Sequence, residues 1–167
     1  HQQVAMVPEA GERELFGYIA PGASKFSIWG VVLGHWAKAR RLPVLADMTY
    51  SQHAANEFVA GEGLLMAPTI AVSKMLDRAG LKLQDCDFYE IHEAFAAQVL
   101  ATLKAWESPE YCKKHLSKDQ TLGSIDRAKL NVKGSSLAFG HPFAATGARI
   151  LANTAKLLSV HGGRALI

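Results

Sequence analysis

A chain of 167 residues with 49% hydrophobic and 20% charged residues can bury a real core as one domain, and it is too apolar for wholesale disorder. A net charge of +3, with no basic block longer than Lys38-Ala39-Arg40-Arg41, leaves no footprint for a nucleic-acid partner. The apolar runs fall far short of the roughly 18 residues that span a bilayer, no signal or transit peptide is visible, and the two cysteines, Cys86 and Cys112, offer neither metal-ligand spacing nor a disulfide framework, which points to a reducing compartment.

Residues 1–30 carry little pattern. Residues 12–19 could begin a short helix, and Ala20-Pro21-Gly22-Ala23-Ser24 is loop chemistry. Residues 32–41 predict a short helix whose basic last turn complements its dipole. Residues 43–50 predict a strand, with Val44, Leu45, Met48 and Tyr50 apolar and Pro43 at the first position, where proline is tolerated. Residues 67–79 predict an amphipathic helix: Pro68 suits its first turn, Ala71, Val72, Met75, Leu76 and Ala79 recur at helical spacing, and Gly80 follows as a cap. A short strand is expected over 87–91 and a helix over 93–106. A polar insertion over 108–130 carries one short helix around 110–116. The helix expected over 145–160 bears Ile150, Leu151, Ala155, Leu157 and Leu158, is apolar over most of its circumference, and is therefore expected to lie buried between two layers. Gly162-Gly163 ends it, and residues 164–167 start another strand. The alternation of strands and helices predicts an α/β fold. The chain begins at His1 rather than Met and stops in mid-strand at Ile167, so both ends read as truncations. The expected division is a loop-region remnant over 1–30 and a domain over 31–167 that is cut before its last strands.

Two motifs carry chemistry. Residues 131–147 read Asn-Val-Lys-Gly-Ser-Ser-Leu-Ala-Phe-Gly-His-Pro-Phe-Ala-Ala-Thr-Gly. Pro142 restricts His141 to extended backbone, and Gly140 permits a geometry other residues resist, so the imidazole is held by its own main chain. Such a histidine can act as general base or donate to an oxyanion; the structural alternative is a buried histidine satisfied by a carbonyl. Upstream, His92-Glu93-Ala94-Phe95 stands where a strand gives way to a helix, the edge of an α/β sheet where ligand sites gather. His92 can present a ring N–H or position a water. Glu93 reads as a helix-capping carboxylate in the first turn, and Phe95 as half core, half pocket wall. His35, His53, His115 and His161 have no such setting and read as surface or structural.

In this order the two motifs resemble those of the thiolases, whose second signature runs Asn, two residues, Gly-Gly, then Gly-His-Pro and a Ser/Thr-Gly end. The resemblance covers residues 33–167. His92 in place of the more common Asn, the run from Gly140 to Gly147, and the long 108–130 insertion make the chain most similar to 3-ketoacyl-CoA thiolases of the trifunctional-complex beta-subunit type. The resemblance implies the C-terminal half of a five-layered αβαβα fold. It implies an acyltransferase that cleaves 3-ketoacyl-CoA thiolytically with coenzyme A, or runs the reverse Claisen condensation, in fatty acid beta-oxidation or lipid metabolism. By resemblance His141 deprotonates a nucleophilic cysteine and helps form the oxyanion hole, and His92 holds the water or supplies the donor that completes it. Phe95, Leu64, Met66 and Gly140 border the substrate. No metal and no permanently bound cofactor is implied; coenzyme A and acyl-CoA are substrates. The partners implied are copies of the same chain, with or without a hydratase/dehydrogenase alpha subunit, in a bacterial cytoplasm or the mitochondrial matrix. The family also needs two cysteines that neither Cys86 nor Cys112 replaces, so these 167 residues alone are expected to be inactive. Ser135 stands where the family usually has a second Gly, a departure expected to restrict the loop. It and the missing cysteines favour a competing expectation, a non-catalytic acyl-CoA-binding or assembly module derived from a thiolase half.

Overall fold

A computed structural model describes residues 39–43, 45–57, 59, 61, 63 and 65–167. The expectations for residues 1–30 and for most of the 32–41 helix lie outside the described residues.

Helix α1, Ala67–Ala79, forms as its pattern predicts. Pro68 sits in the first turn, Thr69, Ser73 and Leu76 bury one stripe, and Gly80 caps the end in the left-handed region at φ 64°. The chain then returns through a turn of 3₁₀ helix, Leu83–Asp85, into strand β1, Phe88–Tyr89. Helix α2, Ala96–Glu107, inserts Val99, Leu103 and Trp106 into the core. Helix α3, Pro109–His115, starts at Ser108, whose hydroxyl accepts the Tyr111 N–H at 3.1 Å, and ends on Lys113, Lys114 and His115. A second 3₁₀ turn, Arg127–Lys129, leads to the short helix α4, Ser136–Phe139, then to α5, Thr146–His161, and strand β2, Ala165–Leu166.

The strands β1 and β2 pair in parallel, Phe88 opposite Ala165 and Tyr89 opposite Leu166. On the other side of β1, Tyr89 bridges Leu130, also in parallel, and the Asn131 N–H donates to the Tyr89 carbonyl at 2.8 Å. The core gathers around β1: Leu76, Leu83, Cys86, Tyr89, Val99, Leu103, Trp106 and Leu166, with Leu116, Leu122, Ile125 and Leu130 packed against it. The 108–130 insertion is thus not merely a polar excursion; its apolar residues close one side of the core. Tyr89 donates its hydroxyl to the Leu83 carbonyl at 2.8 Å. Burial, with Cys86 and the carboxylates of Asp126, Asp87 and Asp85 nearby, pushes its phenol up to about 12.

Three expectations change. The described residues of 43–50 form no strand: Leu45 and Tyr50 stay exposed, and no strand among the described residues offers a ladder for their N–H and C=O groups. The helix expected from Glu93 starts at Ala96, because Phe95 is extended and Ile91 and Glu93 are held by contacts described below. α5 is buried along one stripe, Thr146, Ile150, Thr154 and Leu157, rather than all round, and Val160 on its outer side is exposed.

Candidate active site

The parallel pairing fixes where the two motifs meet. Glu90 through Phe95 leave the carboxyl end of β1, and the bridge from Tyr89 to Leu130 delivers residues 131–147 to the same edge. Asn131 then locks the join. Its Oδ1 accepts the Ile91 N–H at 2.8 Å, and its Nδ2 donates to the Ile91 carbonyl at 3.0 Å and to Glu93 Oε1 at 2.7 Å. Ser135 Oγ donates to the same carbonyl at 3.3 Å. Ser135 has φ −142°, extended backbone that any residue adopts, so it does not restrict the loop as expected; its hydroxyl serves the clamp.

Glu93 needs correction. It lies before α2 rather than in its first turn, and its second oxygen accepts the Leu137 N–H at 3.3 Å. The carboxylate caps α4, at the other motif, and holds the two segments together.

The histidines of the two motifs are adjacent, with ring centroids 4.2 Å apart and planes at 49°. Gly140 supplies the turn before His141 with φ 80° and ψ 179°, a region essentially closed to residues with a Cβ. His141 Nδ1 lies 2.7 Å from Thr146 Oγ1, and that hydroxyl also stands 3.2 Å from the Pro142 carbonyl. The contact with Thr146 engages Nδ1 and leaves Nε2 as the ring nitrogen available to a ligand. His92 Nδ1 faces Ser136 Oγ at 2.8 Å. Burial lowers the His92 pKa, His141 and Arg149 lower it further, and Glu93 opposes them, so the ring is held towards its neutral form. Behind the pair, burial raises the Glu90 carboxyl, Arg149 draws it back down, and Glu93 raises it.

Of the remaining site candidates, Phe95 sits at the head of α2, 63% exposed, and Gly140 is also on the surface. Met66 is buried instead, at the start of α1, where its sulfur accepts from Gln98 Nε2 at 3.3 Å. Leu64 lies outside the described residues. Phe143 stacks obliquely beside His141 at 4.6 Å and, with Leu137 and Phe139, forms an exposed apolar rim. Both cysteines are buried, and burial raises the Cys86 thiol, which disfavours its thiolate. No group of His, Cys, Asp and Glu among the described residues is placed to hold a metal ion. A recess on the flank of α5, between Lys133, Asn153, Lys156, Leu157, Val160 and His161, shares no residue with the histidine pair. Sequence reasoning missed Thr146, Ser136 and Arg149. Thr146 had a signal, a hydroxyl one helical turn beyond a Pro-locked histidine; Ser136 and Arg149 had none.

A strand-end histidine is clamped beside a second, Gly-Pro-held histidine, and the chain that carries them belongs to the thiolase family: residues 42–167 match the model of the thiolase C-terminal domain. Among curated proteins it is 48% identical to a 3-ketoacyl-CoA thiolase of Vibrio cholerae over 134 residues, 80% of this chain and 31% of that protein. It is also 48% identical to that of Colwellia psychrerythraea over 102 residues, 61% of this chain and 23% of the relative. The chain thus spans about a quarter to a third of the length of these relatives. Among solved structures, the peroxisomal 3-ketoacyl-CoA thiolase of Saccharomyces cerevisiae, a five-layered α-β-α-β-α structure of two core domains of identical topology, aligns with TM-score 0.55 and 33% identity over 74% of this chain and 30% of its own. The Acat5 thiolase of Ascaris suum, solved in complex with coenzyme A, aligns with TM-score 0.53 and 28% identity over 75% of this chain and 28% of its own. The fold is that of the C-terminal part of the layered thiolase architecture.

Proposed function

We infer that the chain is the histidine-bearing part of a 3-ketoacyl-CoA thiolase whose nucleophilic and acid/base cysteines lie outside these 167 residues. The observation that carries this reading is the adjacent His92 and His141, each anchored at Nδ1 by a hydroxyl so that both Nε2 atoms are left for substrate and nucleophile. His141 Nε2 takes the proton of a cysteine thiol. The thiolate attacks the 3-keto carbon, and the oxyanion is met by the His92 donor. The C2–C3 bond then breaks, and the acid/base cysteine protonates the carbanion to release acetyl-CoA. That cysteine, now a thiolate, takes the proton of the coenzyme A thiol, whose sulfur attacks the acyl-enzyme thioester and expels the nucleophilic cysteine as thiolate. The same groups serve the reverse condensation. Phe95 and Gly140, exposed beside the pair, border the CoA ester. Leu64 and Met66 belong to the segment that resemblance places at the acyl group; the burial of Met66 argues against a direct contact on its part. The whole enzyme assembles with copies of itself, with or without a hydratase/dehydrogenase subunit, in a bacterial cytoplasm or the mitochondrial matrix. It carries no permanent cofactor.

In the full-length protein, His141→Ala should lower kcat by at least the roughly 10²–10³ that loss of one oxyanion donor costs, since the base is lost too, with little change in KM. Phe95→Ala should raise KM more than it lowers kcat. Steady-state thiolysis of acetoacetyl-CoA measures both. Near-normal kcat in His141→Ala would make the histidine structural and favour the acyl-CoA-binding module.

A further inference from the structure

The least expected feature behind the histidine pair is a buried guanidinium. Arg149, in the first turns of α5, has Nε and Nη1 out of solvent and without a hydrogen-bond partner among the described residues. Its Nη2 reaches Ser136 Oγ at 3.3 Å, and its Cζ stands 5.7 Å from the centre of the Phe139 ring. Keeping a cation there is costly, so what it touches matters.

We propose that Arg149, acting through the Ser136 hydroxyl, is a positioning residue that fixes His92 with its proton on Nε2, so that the two adjacent imidazoles hold opposite tautomers. Guanidinium nitrogens only donate, so Ser136 Oγ must accept from Arg149. The hydroxyl proton is then free to be given away, and His92 Nδ1, 2.8 Å distant, is the acceptor in reach. With that proton on the bond, Nδ1 is the acceptor and neutral His92 carries its own proton on Nε2. The neighbouring ring is set the other way by Thr146, which accepts from His141 Nδ1–H. One imidazole therefore presents a donor and the other a lone pair. Without the relay, His92 could carry its proton on Nδ1, and Nε2 would be a second base instead of a donor. The charged and titratable groups facing His92 are His141 from the Gly140–Pro142 turn, Arg149 from α5 and Glu93 from its own segment; the Arg149 charge opposes a second proton on the ring. The catalytic use of these tautomers rests on the thiolase reading, whereas the tautomers themselves are inferred from the hydroxyl contacts at each Nδ1.

Long-range ¹H–¹⁵N correlation spectra of the ¹⁵N-histidine-labelled chain, above the imidazole titration range, read this directly. His92→Gln and His141→Gln variants assign the signals. The wild type should show His92 with a protonated Nε2 and bare Nδ1, and His141 with the reverse. Ser136→Ala and Arg149→Met should each turn the His92 signals into a mixture of tautomers, Arg149→Lys should largely restore the wild-type pattern, and Thr146→Val should move His141 alone. A proton on Nδ1 of His92 in the wild type would overturn the proposal, and so would an unchanged His92 tautomer in both Ser136→Ala and Arg149→Met. The wild-type spectrum decides the tautomer even where a variant fails to fold. Activity of His141→Ala in the full-length enzyme bears only on the thiolase reading, so the two can fail separately.

Discussion

Asn131 joins the two motifs through one amide: it pairs with both main-chain groups of Ile91 and with the Glu93 carboxylate. It is itself buried and adopts φ 49°, which asparagine tolerates better than most residues. Asn131→Ala should leave the Ile91 N–H without its partner, while Ser135 still serves the Ile91 carbonyl and Leu137 the Glu93 carboxylate, and should cost about 1–3 kcal/mol. Urea denaturation of the chain would show it as a lowered midpoint; an unchanged midpoint would mean the clamp is replaceable. His92 adds a pH dependence. Its folded pKa lies below the ordinary 6.5, first through burial and then through His141 and Arg149. In the window between that lowered value and 6.5, the unfolded ring binds a proton that the folded ring does not. Its contribution to stability therefore falls as acid is added through this window and is constant above it. Denaturation midpoints measured across the window should drop less steeply in His92→Gln than in the wild type, and parallel curves would refute the assignment.

Among the elements, α3 shows how a short helix survives by its ends. It has seven residues, too few to be stable alone. Ser108 caps it, its basic last turn suits the dipole, and Tyr111 pairs its hydroxyl with Thr69 Oγ1 of α1 at 2.8 Å. Ser108→Ala should therefore lower stability by about 1 kcal/mol, the ordinary cost of losing such a cap. Thermal unfolding checks it, and a loss below a few tenths would mean that Cys112 and Tyr111 hold the helix without the cap. α5 works differently. Its inner stripe faces the core, while its first turn brings Thr146 to His141 and Arg149 to Ser136, so one helix start orients both histidines.

At the scale of the whole molecule, the core is built around β1, and the site stands at its carboxyl end, open to solvent. Phe95, Leu137, Phe139 and Phe143 are exposed around it, an apolar rim of the kind that marks a binding or interaction surface. Cys86 and Cys112 are both buried, neither with a hydrogen bond to a histidine among the described residues, so the base has no thiol of this chain to act on. The purified 167-residue chain should accordingly show no thiolysis of acetoacetyl-CoA above background. Measurable turnover would refute the exclusion of these two thiols.

The sequence by itself determined what depends on neighbours a few residues apart. The stripe of α1, its Pro68 start and its Gly80 stop are local, and so is the Gly140-His141-Pro142 turn, whose backbone limits follow from covalent geometry. The two motifs were legible for the same reason, and with them the family. Tertiary structure alone decided what depends on distant partners. Residues 43–50 look like a strand, yet a strand exists only where another offers a ladder. Glu93 looks like a cap for the helix that follows it, yet Asn131 and Leu137, about forty residues away, take its carboxylate. Each histidine's Nδ1 meets a hydroxyl whose own partners, Pro142 for Thr146 and Arg149 for Ser136, had to be placed first. A hydrogen-bond direction belongs to the whole network around it, and no spacing in the chain encodes it.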